Sequence, residues 1–550
     1  MRIIGIKKNS KGENTNLFAS LWLLGLATFF FSSIGQDAPL RLEWHRQFNR
    51  LFWDGTLYPH WLPESFSGFG SPTFYFYPPL VFWIGAILNP NNILSPEYSN
   101  QIASFLAIIL SGWTMYLYLK RYGKEKKITL VCAAFYAVHP YRILDSVVRS
   151  ATSEHFAFVF IPLVLIALDS LLSIEKDYTW RSYFYFTVGF TGLILTNIPS
   201  TVIMSVAALL YLAVQSKKLS LQRLTPLFLS AITVLCITSF YTFPILELRD
   251  SVMLDRFANY GKLYGSTNYI LIDLFSKHFK FMLTLALVLT FALYGFIQAM
   301  RDQSFRTASA QNRSWIALAV LALLMQIPYL QSALSAVLPL SSTIQFSWRW
   351  LLLLVPFASI VIIQRWKAKG NANVLIAGLV LSILLIGVRL YYYHHLRTST
   401  EAWKEGPEYL SKYSDTDPWK AAAAFERHSQ EPMFVPDRVI ELPAEKISLT
   451  QNKSYSWIMQ SNLLRPLKVT FHEQYFPLWK LFSETSLPNL GTDSLARLTA
   501  ILPAGNNSYT LTIGKSHTSG VSSALTILGI LAFVITSSIA VTKKYPTSAE

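Results

Sequence analysis

The sequence predicts a polytopic α-helical membrane protein, with about twelve transmembrane helices and a small extracytoplasmic β-rich domain before the last helix. Hydrophobic residues make up 52% of the 550 residues and charged residues only 14%, against about 25% charged in an average globular protein. Apolar runs of about twenty residues recur along the chain, and this is the length that crosses a bilayer as a helix. Basic residues cluster on alternate connections between the runs, as membrane orientation requires.

The predicted helices follow from the apolar runs, and their orientation follows from the basic clusters. A first span at 17–35 is retained rather than cleaved, because its apolar part is long and lacks a small-residue cleavage site. Twelve spans with both termini cytoplasmic place every basic cluster inside. The predicted spans are 17–35, 99–119, 128–146, 155–173, 183–198, 200–215, 225–245, 279–298, 314–331, 346–364, 372–390 and 520–542.

The charge and the cysteines exclude two other classes. A net charge of +16 could suit nucleic acid, but the basic residues form short clusters between apolar runs rather than one patch. We therefore predict no nucleic-acid partner. Cys132 and Cys236 both lie in apolar runs, which predicts small core residues rather than a disulfide.

The predicted topology divides the chain into a transmembrane domain at 1–390, an extracytoplasmic domain at 391–516, and a final helix with a cytoplasmic tail at 517–550. The first external loop, 36–98, contains PLVFWIGAIL, which is too short to span and is predicted to lie in the interface. In the extracytoplasmic domain, β-type runs such as KISLT, LKVTFHE and SYTLTIG alternate with Pro, Gly and Asn turns. This pattern predicts a small antiparallel β-sandwich-like domain.

Two carboxylates in the first external loop are candidate catalytic residues. Asp37 directly follows the first predicted span, at the outer membrane surface. A carboxylate there could act as general base for an acceptor hydroxyl, or bind a divalent metal ion next to a lipid phosphate. The alternative is a solvated residue at a helix end. Asp54, further along the loop, is the second candidate.

The same loop is rich in aromatic residues, among them Tyr75 and Tyr77 before a pair of prolines. Aromatic side chains commonly lie at headgroup depth for partitioning reasons alone. Stacking on a sugar or a prenyl chain is the functional alternative, so both tyrosines are candidate substrate-binding residues.

Charged residues at the external ends of later spans are further candidates. Asp145 and Arg149 are four residues apart, so they can pair on one helical face, and Glu154 begins the next span. Ionised residues at such positions are functional candidates, although a purely structural pair of Asp145 with Arg149 is equally consistent. Arg349 lies between two tryptophans at the external start of a span, where a guanidinium suits a phosphate or simply snorkels to headgroups.

The sequence contains no P-loop, no dinucleotide-binding glycine motif, and no H-E-x-x-H or C-x-x-C motif. A divalent metal ion is therefore the one cofactor that the sequence suggests, without specifying it.

Several segments also carry a resemblance to a known family. In order along the chain they are GTLYPHWLPESFSGFGSPTFYFYPPLVFW, HPYRILDSVVRSATSEHFAFVFIPLVLIAL, STIQFSWRWL, QYFPLWK and LTAILPAGNNSYTLTI. Together they resemble the bacterial multi-spanning proteins called 6-pyruvoyl-tetrahydropterin synthase-related membrane proteins. The resemblance covers nearly the whole chain and is most specific in the first external loop. The soluble pterin enzyme behind that name uses a three-histidine zinc site, which has no counterpart in this sequence.

By architecture that family is similar to the GT-C superfamily of membrane glycosyltransferases, which take sugars from polyprenyl-phosphate donors. Those enzymes have an acidic residue in the first external loop, and Asp37 occupies that position. The chain has Arg41 where family members often have His, His60 where they tend to have Arg, and Ser347 where they tend to have Pro. The first difference disfavours metal or acid–base help at that position and leaves Arg41 as a candidate substrate-binding residue.

The resemblance implies an enzyme of the bacterial cytoplasmic membrane that transfers a sugar from a polyprenyl-phosphate carrier to an envelope acceptor on the outer face. Asp37 would be base or metal ligand, and Arg149 and Arg349 would hold the donor phosphate. A flippase for lipid-linked sugars, which needs mid-depth charges and broken helices, and a non-catalytic scaffold presenting the β domain are the alternatives. If the site is real, one external cavity should bring together four side chains: Asp37, Arg149, Glu154 and Arg349.

Overall fold

The computed structural model describes residues 37–122, 125–173, 178–253, 279–307, 309–365, 371–396, 434–436, 446–453, 456–483 and 488–544. These parts of the chain are mainly helical and end in a small β region followed by one more helix. The longer helices are α1 Ala38–Trp53, α2 Leu80–Leu88, α3 Pro96–Leu119, α4 Lys126–Ala137, α5 Thr152–Ala157, α6 Ile161–Leu171, α7 Tyr178–Thr196, α8 Ile198–Val214, α9 Leu221–Leu248, α10 Phe279–Met300, α11 Ala310–Leu324, α12 Pro328–Val337, α13 Leu354–Gln364, α14 Asn371–Leu396 and α15 Ser519–Lys544.

Six helical segments in the described parts are long and apolar enough to cross a membrane. A seventh results if α11 and α12, which are bent by 108° relative to each other, form one span. The predicted first span at 17–35 lies outside the described residues, and the total of twelve stays a prediction. The six segments are Pro96–Leu119, Thr152–Leu171, Leu221–Ser251, Leu283–Met300, Ser347–Gln364 and Ser519–Ser538.

The predicted span 128–146 is not one continuous helix, and this corrects the expectation from hydropathy. Helix α4 ends at Ala137, and the chain restarts as a short helix, Pro140–Ile143, followed by a π-helical turn over Leu144–Arg149. The physical reason is Pro140, which lacks a backbone N–H and cannot continue the preceding helix. The side chain of His139 caps the restart by accepting a hydrogen bond from the Tyr141 N–H, at 3.2 Å.

The segment predicted to be the first external loop forms a compact unit, and its two longer helices, α1 and α2, pack on α3. Helix α1 buries Trp44, Phe48 and Leu51, and the ring of Phe82 from α2 lies 5.9 Å from that of Phe48. The nine residues of α2 rise only about 13 Å, well short of the roughly 30 Å hydrocarbon core. This short helix is the element that the sequence predicted to lie in the interface.

The last helix packs closely along α9. The Ser239 hydroxyl donates to the Ser522 carbonyl oxygen at 2.7 Å, and a Cβ added at Gly529 would lie 2.7 Å from the Cβ of Cys236. The Glu247 carboxylate accepts from the backbone N–H groups of His517 and Thr518, at 2.8 and 3.0 Å, just before α15 begins. Cys132 and Cys236 are both free, as predicted.

The β region forms two four-stranded antiparallel sheets, with strand orders β1-β4-β7-β6 and β2-β3-β8-β5. Residues such as Val469 and Leu498 from one sheet and Met459 and Leu511 from the other belong to one buried apolar cluster. The run RVIEL at 438–442, which the sequence pattern also predicts to be a strand, lies outside the described residues. The strands are β1 Phe434–Pro436, β2 Lys446–Lys453, β3 Ser456–Leu463, β4 Leu467–Gln474, β5 Trp479–Ser483, β6 Leu490–Thr492, β7 Arg497–Leu502 and β8 Gly505–Ile513.

The end of β4 holds the first external loop against the sheets. The backbone N–H of Gln474 donates to the Phe69 carbonyl oxygen at 2.8 Å, and its side-chain amide donates to the carbonyl oxygen of Gly70. The ring of Phe69 stacks on His472 with 3.7 Å between ring centroids. The β region is therefore docked on the loop that carries the candidate aromatic residues.

Candidate active site

The break in the predicted span at 128–146 builds the candidate site. After the π-helical turn, Ser150 adopts a left-handed conformation (φ 57°), and the Ala151 N–H donates to the Asp145 carbonyl oxygen at 2.9 Å. Helix α5 then begins at Thr152. This tight reversal brings Asp145, Arg149 and Glu154 together in space, and π-helical turns of this kind recur at functional sites.

Glu154 is the centre of a buried ion-pair network. Its Oε2 lies 3.0 Å from Arg149 Nη1 and 3.2 Å from Arg349 Nε, and its Oε1 accepts from the Tyr141 hydroxyl at 2.6 Å. Arg149 Nη1 also donates to Asp145 Oδ1 at 2.5 Å. The side chains of Asp145, Glu154 and Arg149 are only 0%, 2% and 7% exposed. Charges at this depth persist only when they are paired, as they are here.

Arg349 is held from its own segment as well. Its Nη1 donates to the Ile344 carbonyl oxygen at 2.9 Å and to Gln345 Oε1 at 3.2 Å. Its guanidinium carbon stands 5.3 Å from the ring centroid of Phe346, which stacks on Trp348. Contacts from its own segment and from Glu154 therefore hold Arg349 in place.

Asp37 joins this network through the main chain. It precedes α1, and its backbone N–H donates to the carbonyl oxygen of Arg149 at 2.8 Å. Burial alone would lower the pKa of Arg149, but negative charges raise it above its ordinary value, Glu154 and Asp145 most and Asp37 among the rest. Side-chain contacts therefore join Arg149, Glu154 and Arg349, and a main-chain hydrogen bond brings Asp37 next to them. The predicted convergence of all four side chains on one external cavity stays a prediction.

Arg41 lies one helical turn after Asp37. Its backbone N–H donates to the Asp37 carbonyl oxygen at 3.1 Å. Its guanidinium group stands over the rings of Trp44 and Tyr77, at 4.9 and 4.5 Å from their centroids. Tyr77 is thereby placed beside the site.

The other two loop candidates lie elsewhere. Tyr75 is buried between His60, at 4.4 Å between ring centroids, and Phe476 of the β region, at 5.4 Å. Asp54 is exposed at the far end of α1, so the 16 residues of the helix separate it from Asp37 by about 24 Å. The structure does not bring Asp54 to the network.

Sequence reasoning missed Tyr141 and Arg142. Arg142 is fully buried and donates to the Ser111 hydroxyl at 2.5 Å and to the His155 carbonyl oxygen at 3.2 Å. Tyr141 and Arg142 therefore bind the neighbouring pair Glu154 and His155 and fasten the broken segment to α5. The sequence signal was a charged residue, Arg142, two positions after Pro140 in an apolar run.

Comparison with known proteins adds no family assignment: protein-family models give no match, and no curated protein matches the chain significantly. Roles for these residues follow from their own contacts.

The donor set does not fit a divalent metal ion. Among the described residues, no group of three or more His, Cys, Asp or Glu side chains could hold one. The carboxylate oxygens nearest to Arg149 already accept from guanidinium or hydroxyl donors.

Proposed function

We propose that the protein is a membrane glycosyltransferase that moves a sugar from a polyprenyl-phosphate carrier to a cell-envelope acceptor on the outer face of the bacterial cytoplasmic membrane. The observation that carries the proposal is the contact between Asp37 and Arg149. Through this contact the half-buried Asp37 lies next to a buried network that contains the guanidinium groups of Arg149 and Arg349. These three residues are far apart in sequence. Transfer of a sugar from a phosphate carrier requires a base for the acceptor hydroxyl and positive charge near the leaving phosphate.

In this proposal Asp37 removes the proton from the acceptor hydroxyl as its oxygen attacks the anomeric carbon. The new glycosidic bond forms while the bond from the anomeric carbon to the phosphate oxygen breaks, and polyprenyl phosphate leaves with the electron pair. Positive potential from the arginines stabilises the developing charge on the phosphate. If base and leaving phosphate act from opposite sides of the sugar, the anomeric configuration inverts.

The aromatic residues divide into two roles. Tyr77 lies beside Arg41 and Trp44 and is placed to contact sugar or lipid. Tyr75 is packed between His60 and Phe476, so it supports the loop from within. We retain Tyr77 as a substrate-binding residue and assign Tyr75 to positioning.

Transfer by purified full-length protein in lipid nanodiscs tests the proposal. With polyprenyl-phosphate sugars as donors, Asp37→Asn should lower transfer by about 10² to 10⁴-fold, the contribution typical of a general base. Asp54→Asn, at the opposite end of α1, separates the two predicted candidates and should stay within about twofold of wild type. Absence of turnover with every donor, together with an unchanged cellular glycan phenotype in Asp37→Asn, would exclude the proposal.

A lipid-linked sugar transporter is the second candidate, and broken helices favour it. The interruption between α4 and α5 and the 108° bend between α11 and α12 are such breaks. A scrambling assay with lipid-linked sugar in vesicles separates the candidates, because a transporter moves the donor between leaflets without consuming it. A scaffold, in contrast, should lose all function when 391–516 is deleted while the spans are kept.

A further inference from the structure

The two arginines of the network already have carboxylate partners inside the protein. Arg149 is paired with Asp145 and Glu154, and Arg349 with Glu154. A phosphate that took either arginine as its direct ligand would have to separate a buried pair. Removing one partner of such a pair leaves an uncompensated buried charge and typically costs about 3 to 5 kcal/mol.

Arg41 is different, because no carboxylate pairs with it in the described parts of the chain. Its Nε and Nη1 atoms are buried and have no hydrogen-bond partner among the described residues. The rings of Trp44 and Tyr77 hold the guanidinium group by cation–π contact, which fixes its plane but uses none of its N–H donors. Donors left in this state are costly unless a ligand satisfies them.

Two titratable residues, Asp37 and His45, flank Arg41 along the chain. Asp37 precedes it by one helical turn, so the two residues share one face of the helix end. His45, the titratable residue one turn further along, is buried, and burial first, then the charge of Arg41, lowers its pKa to about 3. His45 is therefore neutral and adds no second cation. Arg41 as a whole is only partly buried, so part of its side chain stays accessible from outside the helix.

We propose that Arg41 is the direct ligand of the phosphate group of polyprenyl phosphate, while Arg149 and Arg349 are positioning residues. The proposal rests on the proposed function and names the group that holds its donor. The planar guanidinium presents two donors to phosphate oxygens. Tyr77, which is only partly buried, offers apolar surface beside it for the first units of the prenyl chain.

Binding of polyprenyl monophosphate without a sugar tests this independently of turnover. Native mass spectrometry or tryptophan quenching of the full chain in nanodiscs measures the affinity. Arg41→Gln should weaken binding at least tenfold, and Arg41→Lys should retain part of it because charge remains while the two-donor geometry is lost. The matched control is Arg50→Gln on the same helix, whose exposed side chain pairs with Glu64 and which should bind like wild type.

Competition with inorganic phosphate and with phosphatidylglycerol vesicles distinguishes the sources of the phosphate. If unlabelled polyprenyl phosphate displaces the bound probe and neither inorganic phosphate nor phosphatidylglycerol does, the proposal is supported. Equal displacement by phosphatidylglycerol would make Arg41 a general headgroup contact and overturn the proposal. Unchanged affinity in a folded Arg41→Gln variant, judged by an unaltered melting temperature, would also overturn it.

The same experiments keep this proposal apart from the proposed function. Binding that depends on Arg41 without any sugar transfer would refute the glycosyltransferase and leave the phosphate site standing. Sugar transfer that is unaffected in Arg41→Gln would refute the phosphate site at Arg41 and leave the glycosyltransferase proposal standing.

Discussion

The backbone N–H of Asp37 donates a 2.8 Å hydrogen bond to the carbonyl oxygen of Arg149. This bond ties the beginning of α1 to the end of the π-helical turn between two apolar segments. The position of the Asp37 carboxylate is thus set by the fold of the turn, and the turn is set by the ion pairs of Glu154. Positioning of this kind is how a carboxylate on a surface helix can be held at a fixed place for reaction.

Glu154→Gln should strongly destabilise the protein. The substitution removes the charge that Arg149 and Arg349 share and leaves buried positive charge in excess. Breaking a buried pair in this way costs about 3 to 5 kcal/mol. The apparent melting temperature of the purified protein measures the loss, and Glu43→Gln is the control, because its pair with Arg46 is 36% to 38% exposed and such pairs contribute about 0 to 1 kcal/mol. Equal effects of the two variants would contradict the central place given to Glu154.

Much of the fold could be predicted from local composition, but the interruption of the predicted span 128–146 could not. Run length and hydropathy predict a span such as Pro96–Leu119, because crossing a bilayer depends on the residues of that segment alone. The run 128–146 looks equally continuous. Its interruption depends on Pro140 and on the buried Arg142, whose partner Ser111 lies on α3, and such partners are not visible in a hydropathy profile.

In the candidate site, too, the contact within one helical segment could be predicted from the sequence, whereas the tertiary contacts could not. The spacing of four residues between Asp145 and Arg149 predicts their pair, and it is observed. The sharing of Glu154 between Arg149 and Arg349 depends on a tertiary contact. The link to Asp37 runs through main-chain atoms, so no pattern of side chains could have predicted it.

Glu473 should make the stability of the docked β region depend on pH. This carboxyl is buried at the end of β4, and burial raises its pKa well above the usual range, with the Trp61 indole acting in the opposite direction. Because the folded state holds the proton more tightly than the unfolded state, the contribution to stability is complete below the unfolded pKa of about 4.3 and is lost as the pH rises toward the folded pKa.

The melting temperature of the wild type should therefore fall as the pH rises above about 5, and Glu473→Gln should flatten the profile. The amide keeps the size of the neutral carboxyl but cannot ionise. Parallel pH profiles for the two proteins would show that Glu473 does not titrate in this range.

Gly70→Ala should destabilise the first external loop more than Gly55→Ala does. Both glycines have positive φ angles, +77° and +98°, so both substitutions introduce backbone strain. A Cβ at Gly70 would also overlap the Trp61 ring, whereas a Cβ at Gly55 would meet nothing within 4 Å. The difference in unfolding free energy between the variants isolates the clash, which we expect to cost about 1 to 3 kcal/mol. Two variants of equal stability would mean that the loop around Gly70 relaxes and removes the clash with the Trp61 ring without a loss of stability.

Cysteine labelling should show the β region outside the cell and the α8–α9 connection inside. The expectation comes from the basic residues of that connection, Lys217 and Lys218 among them, since lysine and arginine concentrate on the cytoplasmic side. In a background with Cys132 and Cys236 replaced by alanine, the exposed turn residue Ala504 and the exposed Lys217 are each changed to cysteine. A membrane-impermeant maleimide should label Ala504→Cys in intact cells, and Lys217→Cys only after the membrane is opened. The reverse pattern would place Asp37 and Arg149 in the cytoplasm, where a donor on the outer leaflet could not reach them, and the glycosyltransferase proposal would fail with it.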